Sequence, residues 1–254
     1  MQEAQETFLS HLIELRQRLV WCLIAFAIAC APTLWFSAEL YDLLAMPLMA
    51  NLPEGSRMIA TGVITPFLIP VKISFMAAFV LVLPFILYQV WAFVAPGLYA
   101  HEKRLALPLV VSSTLLFLAG MLFCYFLVFG GVFQFIAKFA PKSITVAPDI
   151  EAYFNFALGM FFAFGLAFEV PVVVVVLVLM GIVSVAQLRE WRGYVIVGIF
   201  VIAAIVTPPD VVSQIALALP MCALYEVGII LGQAIERRRR DAAPAAAEGE
   251  ASRE

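Results

Sequence analysis

Apolar residues run through this chain in blocks. Six blocks, at about 19–36, 67–92, 106–136, 152–180, 193–207 and 212–231, are separated by short connectors that hold most of the charge. About 20 apolar residues carry a helix across roughly 30 Å of hydrocarbon, so the pattern predicts six transmembrane helices. The fifth block, "GYVIVGIFVIAAIVT", has 15 residues and reaches about 22 Å at 1.5 Å per residue. With "TPPD" it forms a short hairpin with the sixth block, which is expected to thin the bilayer locally. Ahead of the first block, "ETFLSHLIELRQRL" (6–19) places Phe8, Leu9, Leu12, Ile13 and Leu19 on one helical face and Glu14 and Arg18 on the other. That is an amphipathic helix running into the first span.

Composition agrees with the pattern. Of 254 residues, 64% are hydrophobic and 13% charged, with a mean hydropathy of +1.03, well away from the balance of a water-soluble domain. The reading is an all-α integral membrane protein. Eleven of the fifteen Lys and Arg residues lie in the N-terminus, the 94–105 and 181–192 connectors and the tail, and three in the alternate connectors. The positive-inside rule therefore places both termini in the cytoplasm. The acidic N-terminus lacks the short basic start of a cleaved signal.

Three parts follow: a cytoplasmic amphipathic helix over 1–18, a membrane domain over 19–231, and a disordered cytoplasmic tail over 232–254 that lacks apolar periodicity. The first outer connector, carrying Pro47, Pro53 and Pro66, predicts an interfacial helix at 39–46 and an extended stretch near Met58–Thr61. Pro84, Pro171 and Pro220 interrupt spans and bend them, which suits a curved, concave bundle. Cys22, Cys30, Cys124 and Cys222 all sit in apolar blocks, as small buried hydrophobes do. No metal or cofactor spacing is present.

The informative charges are those in costly places. Glu169 has long apolar stretches on both sides. A carboxylate at that depth costs at least about 2.5–3.5 kcal/mol, so it faces a cavity or partner, or is protonated and satisfied by neighbouring backbone. Pro171 removes the donor for the Ala167 carbonyl, making a polar notch there. Lys72 lies one and a half turns into the second span and can snorkel outward. Gln214 and Thr207 sit near the outer turn, where an amide invites either a partner helix or a local hydrogen bond. Glu226 lies in the inner third of the last block.

The connector "FVAPGLYAHEKR" (93–104) sets Glu102 immediately before Lys103 and Arg104. An acid in a helix's first turn complements the dipole. Glu102 and Glu14 also share the cytoplasmic side with Phe93, a set that suits a ligand bearing guanidinium groups and an apolar segment. The Glu14–Arg18 spacing equally fits a plain i,i+4 ion pair.

"SHLIELRQRL", "LYQVWAFVAPGLYAHEKR", "FEVPVVVV" and "TPPD", in that order, resemble the TatC family, the six-span receptor core of the twin-arginine protein translocase. The likeness runs from about Leu9 to Ile230. It implies a glove-like bundle with short fifth and sixth helices in the bacterial cytoplasmic membrane, exporting folded proteins on the protonmotive force. It further implies that Glu102, Phe93 and Glu14 bind twin-arginine signal peptides and that Glu169 is an intramembrane carboxylate on the concave face. Thr207 and Gln214 would dock single-span TatA- and TatB-type partners within an oligomeric complex. Pro47 and Asp210 would match outer positions that matter for transport. Ala204 stands where some relatives are less apolar.

Two other classes make different demands of the sequence. A proton-coupled small-solute transporter using Glu169 predicts repeat symmetry and convergent mid-depth polar residues, and the sequence shows neither. An intramembrane enzyme predicts a Ser/His pair, HExxH or paired aspartates within the spans, which are absent, so no enzyme activity and no cofactor are expected. A thiol introduced between residues 94 and 105 should react with impermeant reagent only from the cytoplasmic side. Labelling from the opposite side would overturn the orientation.

Overall fold

The structure, a computed structural model, describes residues 2–50, 58–94, 106–139, 147–207 and 211–251. The described chain is mostly helical: α1 (Gln2–Trp35), α2 (Ser37–Met49), α3 (Thr65–Val94), α4 (Ala106–Phe123), a π-helical turn (Cys124–Val128), α5 (Phe129–Phe139), α6 (Ile150–Phe168), α7 (Val170–Leu179), α8 (Val185–Glu190), α9 (Arg192–Val206) and α10 (Val211–Ala251). The amphipathic segment and the first span are one helix, α1.

Among the described residues, five stretches are long and apolar enough to cross a membrane: His11–Trp35, Thr65–Phe93, Leu107–Gln134, Ile150–Leu179 and Val211–Arg237. The expected fifth span is α9, a shorter apolar helix of 15 residues. It pairs antiparallel with α10, since Phe200 contacts Gln214 and Arg192 contacts Glu226.

The expected interfacial helix is α2, longer at both ends than the pattern implied. It follows α1 after a single residue, Phe36, whose backbone leaves the helical region at φ −95° and ψ 23°. The extended stretch also exists. Ile59 makes a parallel bridge with Asp149, its N–H donating to Pro148 O at 3.0 Å and its carbonyl accepting from Ile150 N at 2.9 Å. The last helix, α10, runs from Val211 to Ala251.

Aromatic rings fill the centre of the bundle. Phe117, Phe129, Phe154 and Phe164 are fully buried, and ring contacts continue through Phe129–Phe161, Phe133–Tyr153 and Phe123–Phe164 at centroid separations of 5.3–5.7 Å. Such pairs add about 0.5–1.5 kcal/mol beyond the area they bury. Small residues let the backbones close around the rings. A Cβ on Gly165 would strike the ring of Phe117, and one on Gly120 would strike the carbonyl of Phe164. Membrane helices associate through such close packing, because lipid tails supply no hydrophobic drive between them.

The Phe164 carbonyl is backbone and cannot swing aside, so Gly120→Ala should separate α4 from α6. We expect a loss of about 1–3 kcal/mol, read as a lower unfolding temperature in detergent. Gly159→Ala, where a Cβ meets no atom within 4 Å, should be neutral or slightly stabilising.

Candidate functional site at the Glu14 and Phe93 end

Two ends of the bundle carry polar structure. At the end holding the start of α1 and the close of α3, those two helices lie side by side. Arg18 organises the contact. Its Nε and Nη2 donate to Glu14 Oε1 at 3.0 and 2.6 Å, its Nη1 to Gln89 Oε1 at 2.9 Å, and its Nη2 also to Ala92 O at 3.4 Å. The rigid guanidinium fork permits this; a lysine ammonium could not span the same acceptors in one plane. One turn earlier, His11 stacks on Phe93 with centroids 4.2 Å apart and 25° between planes.

Glu14 and Phe93 thus lie on the two neighbouring helices α1 and α3, each with its own partner across or along that seam. Glu14 is also held by Arg18, the i,i+4 alternative its spacing allowed, and its side chain keeps 38% exposure. Glu102, with Lys103 and Arg104, lies outside the described residues. Gln89 and His11 were not singled out in the sequence, although Gln89 lies inside the motif that carries the resemblance.

Deeper in the same half, Glu169 ends α6 at φ −76° and ψ −15°, and α7 restarts at Val170 with Pro171 in its first turn. Its N–H turns back to Leu166 O at 3.1 Å and its carbonyl accepts from Val173 N at 3.0 Å, so the ladder tightens around the proline. The residue is 9% exposed, and Oε1 has no partner among the described residues. The carboxyl faces the hydroxyl of Ser113, which accepts from Trp91 Nε1 at 3.1 Å. Trp91, Ser113 and Glu169 thus form a buried polar group across α3, α4 and the α6–α7 break, two residues along α3 from Phe93. Neither Trp91 nor Ser113 stood out in sequence, where a Trp and a Ser in apolar blocks carry no signal. Glu169 does not line the apolar cavity of about 710 Å³ that α2 roofs, which is walled by Pro32, Phe36, Leu44, Met76, Val80 and Tyr125 among others.

At the far end of α9, Thr207 is buried, and its hydroxyl donates to Ala203 O at 2.8 Å. Gln214 Nε2 donates to Phe200 O at 3.3 Å. Both hydrogen-bond locally, while Ala204 is exposed. Pro47 lies inside α2, and Asp210 is outside the described residues. Glu226 pairs with Arg192 at 2.7 Å. Lys72 donates to Asn155 Oδ1 at 3.0 Å, so its ammonium has a partner on α6.

Asp149 was missed. It caps α6 by accepting from Ala152 N at 3.1 Å and ties in the 58–61 stretch by accepting from Thr61 Oγ1 at 2.9 Å and Thr61 N at 3.3 Å. Its position just before an apolar run was the available signal.

These features define a polytopic helical membrane protein with a built polar surface at one end and a buried carboxyl beneath it. Comparison with known proteins narrows the class. The family described as Sec-independent protein translocase protein (TatC) matches residues 10–220. A TatC of Azotobacter chroococcum mcd 1 is 50% identical over 240 residues, covering 94% of this chain and 93% of that protein. The TatC of Escherichia coli (strain K12) is 49% identical over 231 residues, covering 91% and 90%. A crystal structure of the twin-arginine translocase receptor TatC superposes with a TM-score of 0.79 at 40% identity, covering 88% of this chain and 98% of that one. The chain belongs to the TatC family. It is a membrane component of Sec-independent protein translocation, a transport subunit rather than an enzyme.

The Ala152 N–H holds the Asp149 carboxyl below the usual carboxylate range; partial desolvation opposes this, and the Thr61 hydroxyl and amide reinforce it. A depressed folded value gives a contribution present above the unfolded value of about 3.9 and lost as pH falls through the folded one. Protection of the Ile59 and Ile150 amides, taken as exchange relative to the intrinsic rate at each pH, should therefore fall below about pH 4. Asp149→Asn should abolish that pH dependence.

Proposed function

We propose that this chain is the core receptor subunit of the twin-arginine translocase, with six spans, both termini in the cytoplasm and a concave, glove-like bundle in the bacterial inner membrane. In this reading it binds twin-arginine signal peptides at its cytoplasmic face. It assembles with TatA- and TatB-type single-span subunits into an oligomeric complex and exports folded proteins on the protonmotive force.

The observation that supports the reading is the packing of α1 on α3, where Arg18 links Glu14 to Gln89 and Ala92 and His11 stacks on Phe93, 79 positions beyond Glu14 in sequence. A carboxylate beside an aromatic ring, at an end where the next connector supplies Glu102, offers what a guanidinium pair followed by an apolar segment requires. Carboxylates take guanidinium in charge-assisted, paired hydrogen bonds, and the ring gives the cation or the apolar segment a face to pack on. Arg18 already occupies Glu14 Oε1. An incoming arginine then competes with Arg18 or shares Glu14, and Glu102 is the acid assigned to bind it directly.

Glu169 is assigned as the intramembrane carboxyl of the transport cycle. Thr207 and Gln214 are assigned to the docking region for single-span partners, at the turn between the short α9 and α10. Pro47 and Asp210 serve at the outer face.

The test is site-specific photo-crosslinking from position 102 to a twin-arginine signal peptide, on the full chain in native membranes. We expect a crosslink that a twin-lysine peptide does not compete away. Glu102→Gln should lower crosslinking from neighbouring positions about tenfold, the worth of a charged hydrogen bond of about 1.5 kcal/mol, while membrane insertion is unchanged. Unaltered crosslinking removes Glu102 from the site. Solute uptake by the purified chain alone would favour a small-solute transporter instead.

A further inference from the structure

Pro47 is a proline in the interior of a helix, four residues after Leu43 and three after Leu44. It lacks the N–H that would close on the Leu43 carbonyl, and its ring pushes that carbonyl away. In an apolar setting an unpaired carbonyl is costly, so such groups find partners. The partners here are two tyrosines from distant parts of the chain. Tyr125 Oη, in the π-helical turn after α4, donates to Leu43 O at 2.9 Å. Tyr153 Oη, in the first turn of α6, donates to Leu44 O at 2.6 Å. The Leu48 N–H, which in an unbroken helix would close on Leu44 O, faces the same Tyr153 hydroxyl. That hydroxyl lies against the ladder of α2 at the Leu44–Leu48 position, where it can stand as an inserted rung.

We propose that Pro47 acts through the donor it lacks: it opens the ladder of α2, and the hydroxyls of Tyr125 and Tyr153 enter the gap and clamp α2 across the ends of α4 and α6. Tyr125 and Tyr153 are positioning residues for α2. The pieces fit the surrounding packing. Tyr153 is buried against Phe133 and Phe154, so its hydroxyl has little freedom to go elsewhere. Tyr41 of α2 packs on Phe154 with centroids 4.8 Å apart, which places the helix over the tyrosine ends. Leu43, Leu44 and Tyr125 also line the cavity beneath α2, so the clamp fixes the roof of that chamber. The clamp is independent of what the chain transports.

The test is a double-mutant cycle on the full chain in detergent. Tyr125→Phe should lower the unfolding temperature by about 2–4 °C, the shift expected for one net hydrogen bond in a chain of this size. Pro47→Ala restores an N–H that can close on Leu43 O and take the acceptor from Tyr125. In the Pro47→Ala background, Tyr125→Phe should therefore cost less than about 1 °C. Replacing Pro47 by lactic acid, which gives a backbone ester with no N–H, should restore the full cost of Tyr125→Phe. Equal cost in all three backgrounds overturns the proposal. Should Pro47→Ala fail to fold, Tyr153→Phe gives a separate reading. Hydrogen exchange at the Leu48 amide should rise about fivefold, as expected for loss of one hydrogen bond; an unchanged rate overturns the inserted rung.

Discussion

A hydrocarbon environment offers no water to an interrupted backbone, and that constraint governs this structure more than any single contact. Every carbonyl that a proline strips of its donor must be met from within the protein. The chain contains many such interruptions in its helices, among them Pro32, Pro47, Pro70, Pro84 and Pro171, and the polar contacts gather near several of them. At Pro171 the backbone tightens, Glu169 reaching back three residues. At Pro47 other helices supply the donors. Irregularity therefore costs little, because side-chain hydroxyls and shifted backbone bonds take the place of the missing rungs.

The same constraint shapes the charged residues. In a low-dielectric setting a lone charge is far more expensive than a paired one. Arg18 is shared among Glu14, Gln89 and Ala92, Arg192 is matched by Glu226, and Lys72 is met by Asn155. Each pair joins two helices or two turns of one helix, so charge that could have been a burden becomes an attachment point. Glu169 departs from this pattern. It faces a hydroxyl rather than a cation, and one oxygen is unmet among the described residues. A group left so incompletely satisfied in a native structure is where function is to be sought.

Much of the architecture was legible in the sequence because it follows from local chemistry. Long apolar blocks give spans whatever their tertiary partners, and the four-residue spacing of Glu14 and Arg18 allowed the ion pair that forms. The Ser37–Met49 helix was legible from its apolar composition between turn signals, although its ends were not. The contacts that tie elements together were beyond reach for a physical reason: they join residues distant along the chain through groups of ordinary type. Tyr153 and Leu44 are 109 residues apart, Thr61 and Asp149 are 88 apart, and Trp91 and Ser113 meet across two spans. Nothing in the one-dimensional pattern distinguishes a tyrosine that fills a helix gap from one that sits at an interface.

The π-helical turn at Cys124–Val128 amounts to one residue more than an α-helix of the same rise would contain. Each residue of α-helix advances the azimuth by about 100°, so this surplus sets the direction in which everything after it points. Phe129 and Phe133, buried in the aromatic core, owe their inward facing to it. Excising one residue from the turn would let the helix heal into regular form, yet it would swing both rings toward the lipid. The defect is therefore the phase-setting element of that helix, and the regular version would be the misfolded one.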